Sequence, residues 1–305
     1  MIRGKEGWVM IGAVLLLLIA SSVSFAAEGD IINAASYLRA GAGARFLAMG
    51  GASTAAVDDA TATYWNVAAL SRIESVSFAS MYSAKDQLDR KNNFLALAGT
   101  VKGIGSFGVG WVNAGVSSIE RYTEADVSQG TFSSSENAFL LSYGAMFQPV
   151  RLGAGIKILS EKIDPDAEGK MGFGGLDIGA MAEPVSGVTV GLAVQNILGK
   201  IGEGKVPVQL RLGTAIKLLP EDSLLVAVDV SNAFVNLKER TAVMHIGAEY
   251  WAAKLIGFRL GATSDKEFSA GIGARISDVS VDYAYSIRRD GLEPDVHYVS
   301  ICASF

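Results

Sequence analysis

The chain has 305 residues, 50% of them hydrophobic, with a mean hydropathy of +0.32 and a formal net charge of −5. That composition excludes a disordered chain, which is apolar-poor and charge-rich, and it gives no basic face for nucleic acid. One cysteine, Cys302, and two histidines, His245 and His297, leave no disulfide framework and no expected metal centre.

The N-terminus reads as an address. Arg3 and Lys5 precede an apolar run from Val9 to Ala20, and Ser24-Phe25-Ala26 supplies small residues for cleavage. Residues 1–26 are therefore expected to be a signal peptide removed after Ala26, and the protein to be exported. The run is too short for a helical span, which needs roughly 18–20 apolar residues. No cysteine follows it, so lipoprotein processing is excluded.

Residues 27–72 do not alternate. They hold a small, glycine-rich stretch, Ala40 to Ala52, then Val57-Asp58-Asp59 and the run Ala60 to Leu70. Asp58 or Asp59 is placed to N-cap a helix reaching about Leu70. The segment is too short for a domain and too apolar to dangle in water, so it is expected to fold back as a plug.

From residue 73 to 305 the sequence reads as strands of about ten residues with period-2 alternation. The predicted spans are 73–82, 92–101, 104–113, 136–147, 150–163, 173–184, 187–197, 206–219, 223–232, 241–251, 255–263, 267–276, 279–287 and 295–305. In 206–219, Val208, Leu210, Leu212, Ile216 and Leu218 take one face while Gln209, Arg211, Gly213 and Lys217 take the other. Connections after odd strands are longer, with 114–135 the longest, and those after even strands are short, as at Lys102-Gly103 and Gln148-Pro149. Ser264-Asp265-Lys266 departs from that rule.

Long strands, an even count and alternating loop lengths predict a 14-stranded antiparallel transmembrane β-barrel, apolar outward to lipid and polar inward. Its partner is then outer-membrane lipid. The last strand ends on Phe305 after Val299, Ile301 and Ala303 on one face. That ending resembles the C-terminal insertion signal of outer-membrane barrels.

The inward face is predicted to carry Lys157, Asp177, Glu183, Gln195, Gln209, Arg211, Lys217, Asp229, His245, Glu249, Arg275 and Asp282. They line either a polar channel or a packed lumen whose charges pair with one another and the plug. Trp111, Tyr143, Tyr250, Trp251, Tyr283 and Tyr285 suit interfacial girdles. The 114–135 loop suits a partner-binding or a solvated tip. Gly41-Ala42-Gly43 and Gly271-Ile272-Gly273 lack the third glycine of a dinucleotide loop, and no G-x-S-x-G elbow is present. No spacing joins His245 to a nucleophile, so no catalytic residue, metal or cofactor is expected.

The stretch GARFLAMGGASTAAVDDATATYWNVAAL resembles the N-terminal motif of the PorV/PorQ family, relatives of the FadL-type fatty-acid channels. The matching positions are Gly43, Ala44, Arg45, Met49, Gly50, Gly51, Ala52, Asp58, Asp59, Tyr64, Trp65, Asn66, Ala68 and Leu70. Val67 and Ala69 stand where the family has proline and glycine. The resemblance implies a FadL-like barrel with an N-terminal plug. It also implies a non-enzymatic role in protein export or surface attachment through secreted proteins or secretion components. Uptake of hydrophobic small molecules is the alternative.

Overall fold

The alternation condenses into fourteen strands: β1 Val76–Lys85, β2 Arg90–Val101, β3 Gly105–Tyr122, β4 Ser128–Phe147, β5 Val150–Ile163, β6 Lys170–Val185, β7 Val188–Ile197, β8 Val208–Leu218, β9 Leu224–Phe234, β10 Ala242–Ala252, β11 Ile256–Thr263, β12 Glu267–Ile276, β13 Val279–Arg288 and β14 Val296–Ser304. The structure is a computed structural model that describes residues 34–85, 90–123, 126–163, 169–219, 223–234, 242–289 and 295–305. The expected signal peptide lies outside these residues.

Each strand pairs antiparallel with its neighbours in sequence, and β1 pairs with β14 from Ser77 opposite Ser304 to Lys85 opposite Val296. The sheet therefore closes into a 14-stranded barrel and leaves no edge for lipid to meet. Among the described residues no helix is long and apolar enough to cross a membrane.

Alternation sorts the two faces as expected. Leu95 and Leu97 on β2, Phe107 and Val109 on β3, and Phe139 and Leu141 on β4 are exposed on the outer wall. Their neighbours Phe94, Ala96, Val112 and Leu140 are buried inside. Apolar outside with no water-facing polar coat is the arrangement lipid selects.

The structure corrects several boundaries. The predicted loop 114–135 is mostly strand: β3 runs to Tyr122 and β4 starts at Ser128, with register shifts between Val116 and Ile119 and between Glu120 and Tyr122. Its polar residues hid the extension because a hairpin beyond the membrane has no apolar face to repeat. β1 starts at Val76, since 67–72 is 3-10 helix. The connection after β7 contains a small hairpin, Lys200–Ile201 with Gly204–Lys205, which pairs with Gly172 and Phe173 of β6.

The plug does not hold one helix to Leu70. It forms an α-helical turn at Ala62–Trp65 and a 3-10 helix at Val67–Arg72, separated by Asn66 in extended conformation. Asp59 caps no long helix; its Oδ1 accepts from the Thr61 backbone N–H at 2.8 Å, closing a local turn. The Asn66 side chain accepts from the Ala68 N–H and so starts the 3-10 helix.

Residues 34–72 fill the lumen. Ala34 N–H donates to the Lys205 carbonyl at one end, and Arg72 reaches the Thr189 hydroxyl near the other. Two glycines on opposite walls show how closely the plug fits. A Cβ on Gly153 would lie 2.5 Å from the Ala68 nitrogen, and one on Gly247 would lie 2.4 Å from the Met49 oxygen. Only glycine lets backbone meet backbone at that distance.

Candidate functional site

The plug first fastens to itself, through the family-like motif. The Tyr64 hydroxyl donates to the Leu38 carbonyl at 2.6 Å and accepts from Gly41 N–H at 2.9 Å. Trp65 Nε1 donates to the Ala42 carbonyl at 2.7 Å, and Asn66 Nδ2 to the Thr54 carbonyl at 2.8 Å. Gly43 N–H points at the Met81 sulfur at 3.2 Å, and Gly50 and Gly51 turn the chain with φ of +65° and +79°. Tyr-Trp-Asn thus ties three separate turns of the plug into one body.

Two buried ionic clusters then tie that body to the wall, and a third lies within the wall itself. In the first, Arg45 of the plug donates Nε and Nη2 to the Glu249 carboxylate and Nη1 to Asp58 at 2.6 Å. Glu249 also accepts from Arg259 Nε at 2.6 Å, and Arg259 Nη1 lies 2.8 Å from Asp282. Burial opposes the charge on Arg45, but Asp58 and Glu249 raise its pKa well above the ordinary arginine value. Asp59, 3.8 Å from Arg45, has its carboxyl pKa raised by burial and by the neighbouring Asp58.

In the second cluster Asp229 Oδ2 accepts from Ser53 N–H, Thr54 N–H and the Thr54 hydroxyl at 3.0, 2.9 and 2.6 Å. Arg211 bridges Asp229 at 3.2 Å and the Gly51 carbonyl at 2.6 Å, with its guanidinium 4.9 Å above the Trp65 ring. In the third, Lys157 Nζ donates to Asp177 at 2.9 Å and to Asn196 Oδ1 at 2.6 Å. This last cluster sits where β5 and β6 slip register between Lys157 and Ile158.

The remaining predicted lumen residues are distributed differently. Gln195 is buried and Gln209 half-buried on the inner wall, whereas Lys217 and Glu183 are exposed near the short-turn end. Glu183 accepts from the Gly187 N–H across its turn. Arg275 lies half-buried, 4.0 Å over the Trp251 ring.

Trp251 is a correction: it faces inward and is buried, so it belongs to no girdle. Tyr250 is its neighbour and already faces out, and successive residues of a strand cannot share a face. Sequence reasoning also passed over Arg259 and Arg72. Arg259 was legible, since Phe258 and Leu260 on either side of it are outward. Arg72 falls on the plug, where no period marks a side.

His245 is joined to a serine after all. Its Nε2 lies 2.8 Å from the Ser231 hydroxyl and its Nδ1 lies 2.6 Å from the Gly50 carbonyl. With Nδ1 donating to the carbonyl, Nε2 is left to accept from Ser231, and the ring serves as a wall-to-plug tie. Among the described residues no group of three His, Cys, Asp or Glu could hold a metal ion.

Opposite the charged wall, an apolar row crosses the lumen. Met81, Phe94, Val112, Ala138 and Leu159 stand opposite one another in register across β1 to β5, and all five are buried. Phe94 meets the plug edge-on at the Tyr64 ring, with centroids 6.1 Å apart.

A closed 14-stranded barrel of this kind has solved counterparts. The fold is that of FadL-type outer-membrane barrels. Over 87% of this chain and 99% of the other, it superposes on the P. putida toluene transporter TodX with a TM-score of 0.62 and 13% identity. The Ralstonia pickettii toluene transporter TbuX gives 0.63 at 16% identity over 87% and 98% of the two chains. A Pseudomonas aeruginosa FadL homologue gives 0.56 at 13% identity over 90% and 98%. Coverage of 87% exceeds the barrel from Val76 onward, so the likeness takes in part of the plug. At these identities the likeness is one of fold. No protein-family model and no curated protein matches the sequence.

Proposed function

We propose that this protein is a FadL-type channel that admits hydrophobic small molecules across the outer membrane. The observation that carries the reading is the inward apolar row Met81, Phe94, Val112, Ala138 and Leu159, packed against an N-terminal plug. If the plug draws away from β1 to β5, that row becomes one wall of an apolar passage. The charged clusters on β5 to β13 stay paired among themselves and with the plug's other side. The toluene transporters TodX and TbuX, with the same architecture, support the choice of cargo class.

The test is uptake of labelled toluene by cells that lack a hydrocarbon channel of their own and express this protein. Uptake should exceed the empty-vector rate and fall when Phe94→Asp places a charge on the row. Uptake equal to the vector rate overturns the proposal.

A second reading, a PorV/PorQ-like role in protein export or surface attachment, is favoured by one feature. The motif residues Arg45, Tyr64, Trp65 and Asn66 fasten the plug as a fixed body rather than a loose tether. It predicts recovery of a secreted protein or secretion component with the purified barrel, and no change in toluene uptake on its deletion.

A further inference from the structure

A cavity of about 170 Å³ lies between the plug and the wall at the end of the barrel where the short turns are. Four cationic side chains line it, Arg45, Arg72, Lys217 and Arg275, against two carboxylates, Asp58 and Glu249. Both carboxylates are taken up by Arg45, through contacts of 2.6 and 2.8 Å. The site therefore carries an excess of positive charge.

Two of the guanidinium groups have no carboxylate within ion-pair distance among the described residues. Arg72 donates to the carbonyls of Ala55 and Val57 and to the Thr189 hydroxyl, which are neutral acceptors. Burial pushes its pKa down; the Asp58 carboxylate opposes that shift and the nearby Arg151 adds to it, and the net direction is downward. Arg275 lies over Trp251 and makes no ion pair among the described residues. A buried or half-buried cation without an anion is costly, and a guanidinium fork suits a carboxylate.

The rest of the lining is Ala55, Ala56, Ala215, Leu225 and Trp251, with the Thr189 hydroxyl the one polar group among them. A cavity of roughly 150 Å³ is large enough for benzene. Lys217 and Asp58 are exposed, so the site is open to solvent on the short-turn side, which in outer-membrane barrels is the periplasm.

We propose that this pocket binds a small organic carboxylate of about the size of benzoate, entering from the periplasm. The apolar walls take the ring and the cations take the carboxylate. A monoanion suits the site better than a dianion, because Asp58 and Glu249 lie on the same lining. The site lies apart from the apolar row on β1 to β5 and does not depend on what passes along it.

The test is calorimetric titration of the full barrel in detergent with benzoate, with benzyl alcohol as neutral isostere and inorganic phosphate as an oxyanion without an apolar body. Benzoate should bind with one-to-one stoichiometry, and both comparison ligands should bind about tenfold or more weakly. Arg275→Gln should weaken benzoate by about tenfold or more, the worth of one charge-assisted hydrogen bond. Lys217→Gln, at an exposed position, should weaken it to a smaller extent. Heat-modifiable gel mobility checks that each variant remains a barrel. The proposal is overturned by no benzoate binding, by benzyl alcohol or phosphate binding as tightly, or by a folded Arg275→Gln variant of unchanged affinity. None of these outcomes bears on toluene uptake, which is read in cells.

Discussion

Arg45 of the plug and Glu249 of β10 form a two-pronged pair, Nε to Oε2 and Nη2 to Oε1, each 2.8 Å. The two residues are 204 apart in sequence, and Glu249 is almost wholly buried. Removing one member of such a pair strands the other charge, at about 3–5 kcal/mol for a fully buried case. Arg45→Ala leaves Glu249 still held by Arg259, so the loss should fall at the lower end of that range. It should appear as a lower melting midpoint and faster proteolysis of the plug. Combining it with Glu249→Gln should cost less than the sum of the single losses, since the double variant leaves no stranded carboxylate.

Gly153→Ala should loosen the plug. The new methyl would sit 2.5 Å from the Val67 and Ala68 backbone, which has no side chain to swing aside. Overpacking of this kind costs about 1–3 kcal/mol. Gly99→Ala, whose Cβ would meet nothing nearer than 3.5 Å, is the matched control and should leave the melting midpoint within experimental error.

Deleting Phe305 should reduce the amount of assembled barrel. Phe305 N–H donates to the Val76 carbonyl at 2.8 Å and its carbonyl accepts from Val76 N–H, fastening the β1–β14 seam at its end. Its side chain is exposed and adds nothing to the core. A loss of heat-modifiable protein from the outer membrane, with little change in the stability of what does assemble, is the expected result for an insertion signal. Equal assembly would sink that role.

Acid should weaken the β11–β12 hairpin. Burial opposes ionisation of Asp265, but the Thr263 hydroxyl and the Arg288 guanidinium outweigh it and hold the carboxyl below its ordinary value of 3.8. A carboxyl depressed on folding contributes its stability above the unfolded pKa and loses it as pH falls through the folded one. Amide exchange in residues 264–266 should therefore accelerate below about pH 4 beyond the intrinsic trend. Asp265→Asn should remove that pH-dependent part.

The mature protein should begin at Ala27. N-terminal sequencing of protein recovered from the outer membrane reads this directly, and retention of the Val9–Ala20 run would refute cleavage after Ala26.

Much of the architecture was legible because its signals are local. Alternation of apolar and polar residues has a period of two whatever lies across the sheet, so strand count and the outward face could be read from residues such as Val208, Leu210 and Leu212. The signal failed where lipid no longer selects an apolar face. That is why the sequence of the β3–β4 hairpin above the membrane looks like loop, and why the plug turn at Asn66 looks like continuous helix. It fails again at Trp251, whose aromatic character suggests a girdle while its place next to the outward Tyr250 turns it inward.

The sequence by itself determined a lipid-facing barrel of fourteen strands, because membrane burial imposes one repeating demand on every strand. Only the tertiary structure decided how the lumen is occupied. Which charge meets which depends on strand register and on the path of the plug, so Arg45 with Glu249, Ser231 with His245, and the meeting of Arg72 and Arg275 on one cavity could not be read from spacing. The apolar row on β1 to β5 arose in the same way: each strand supplies one ordinary inward residue, and closure sets the five side by side.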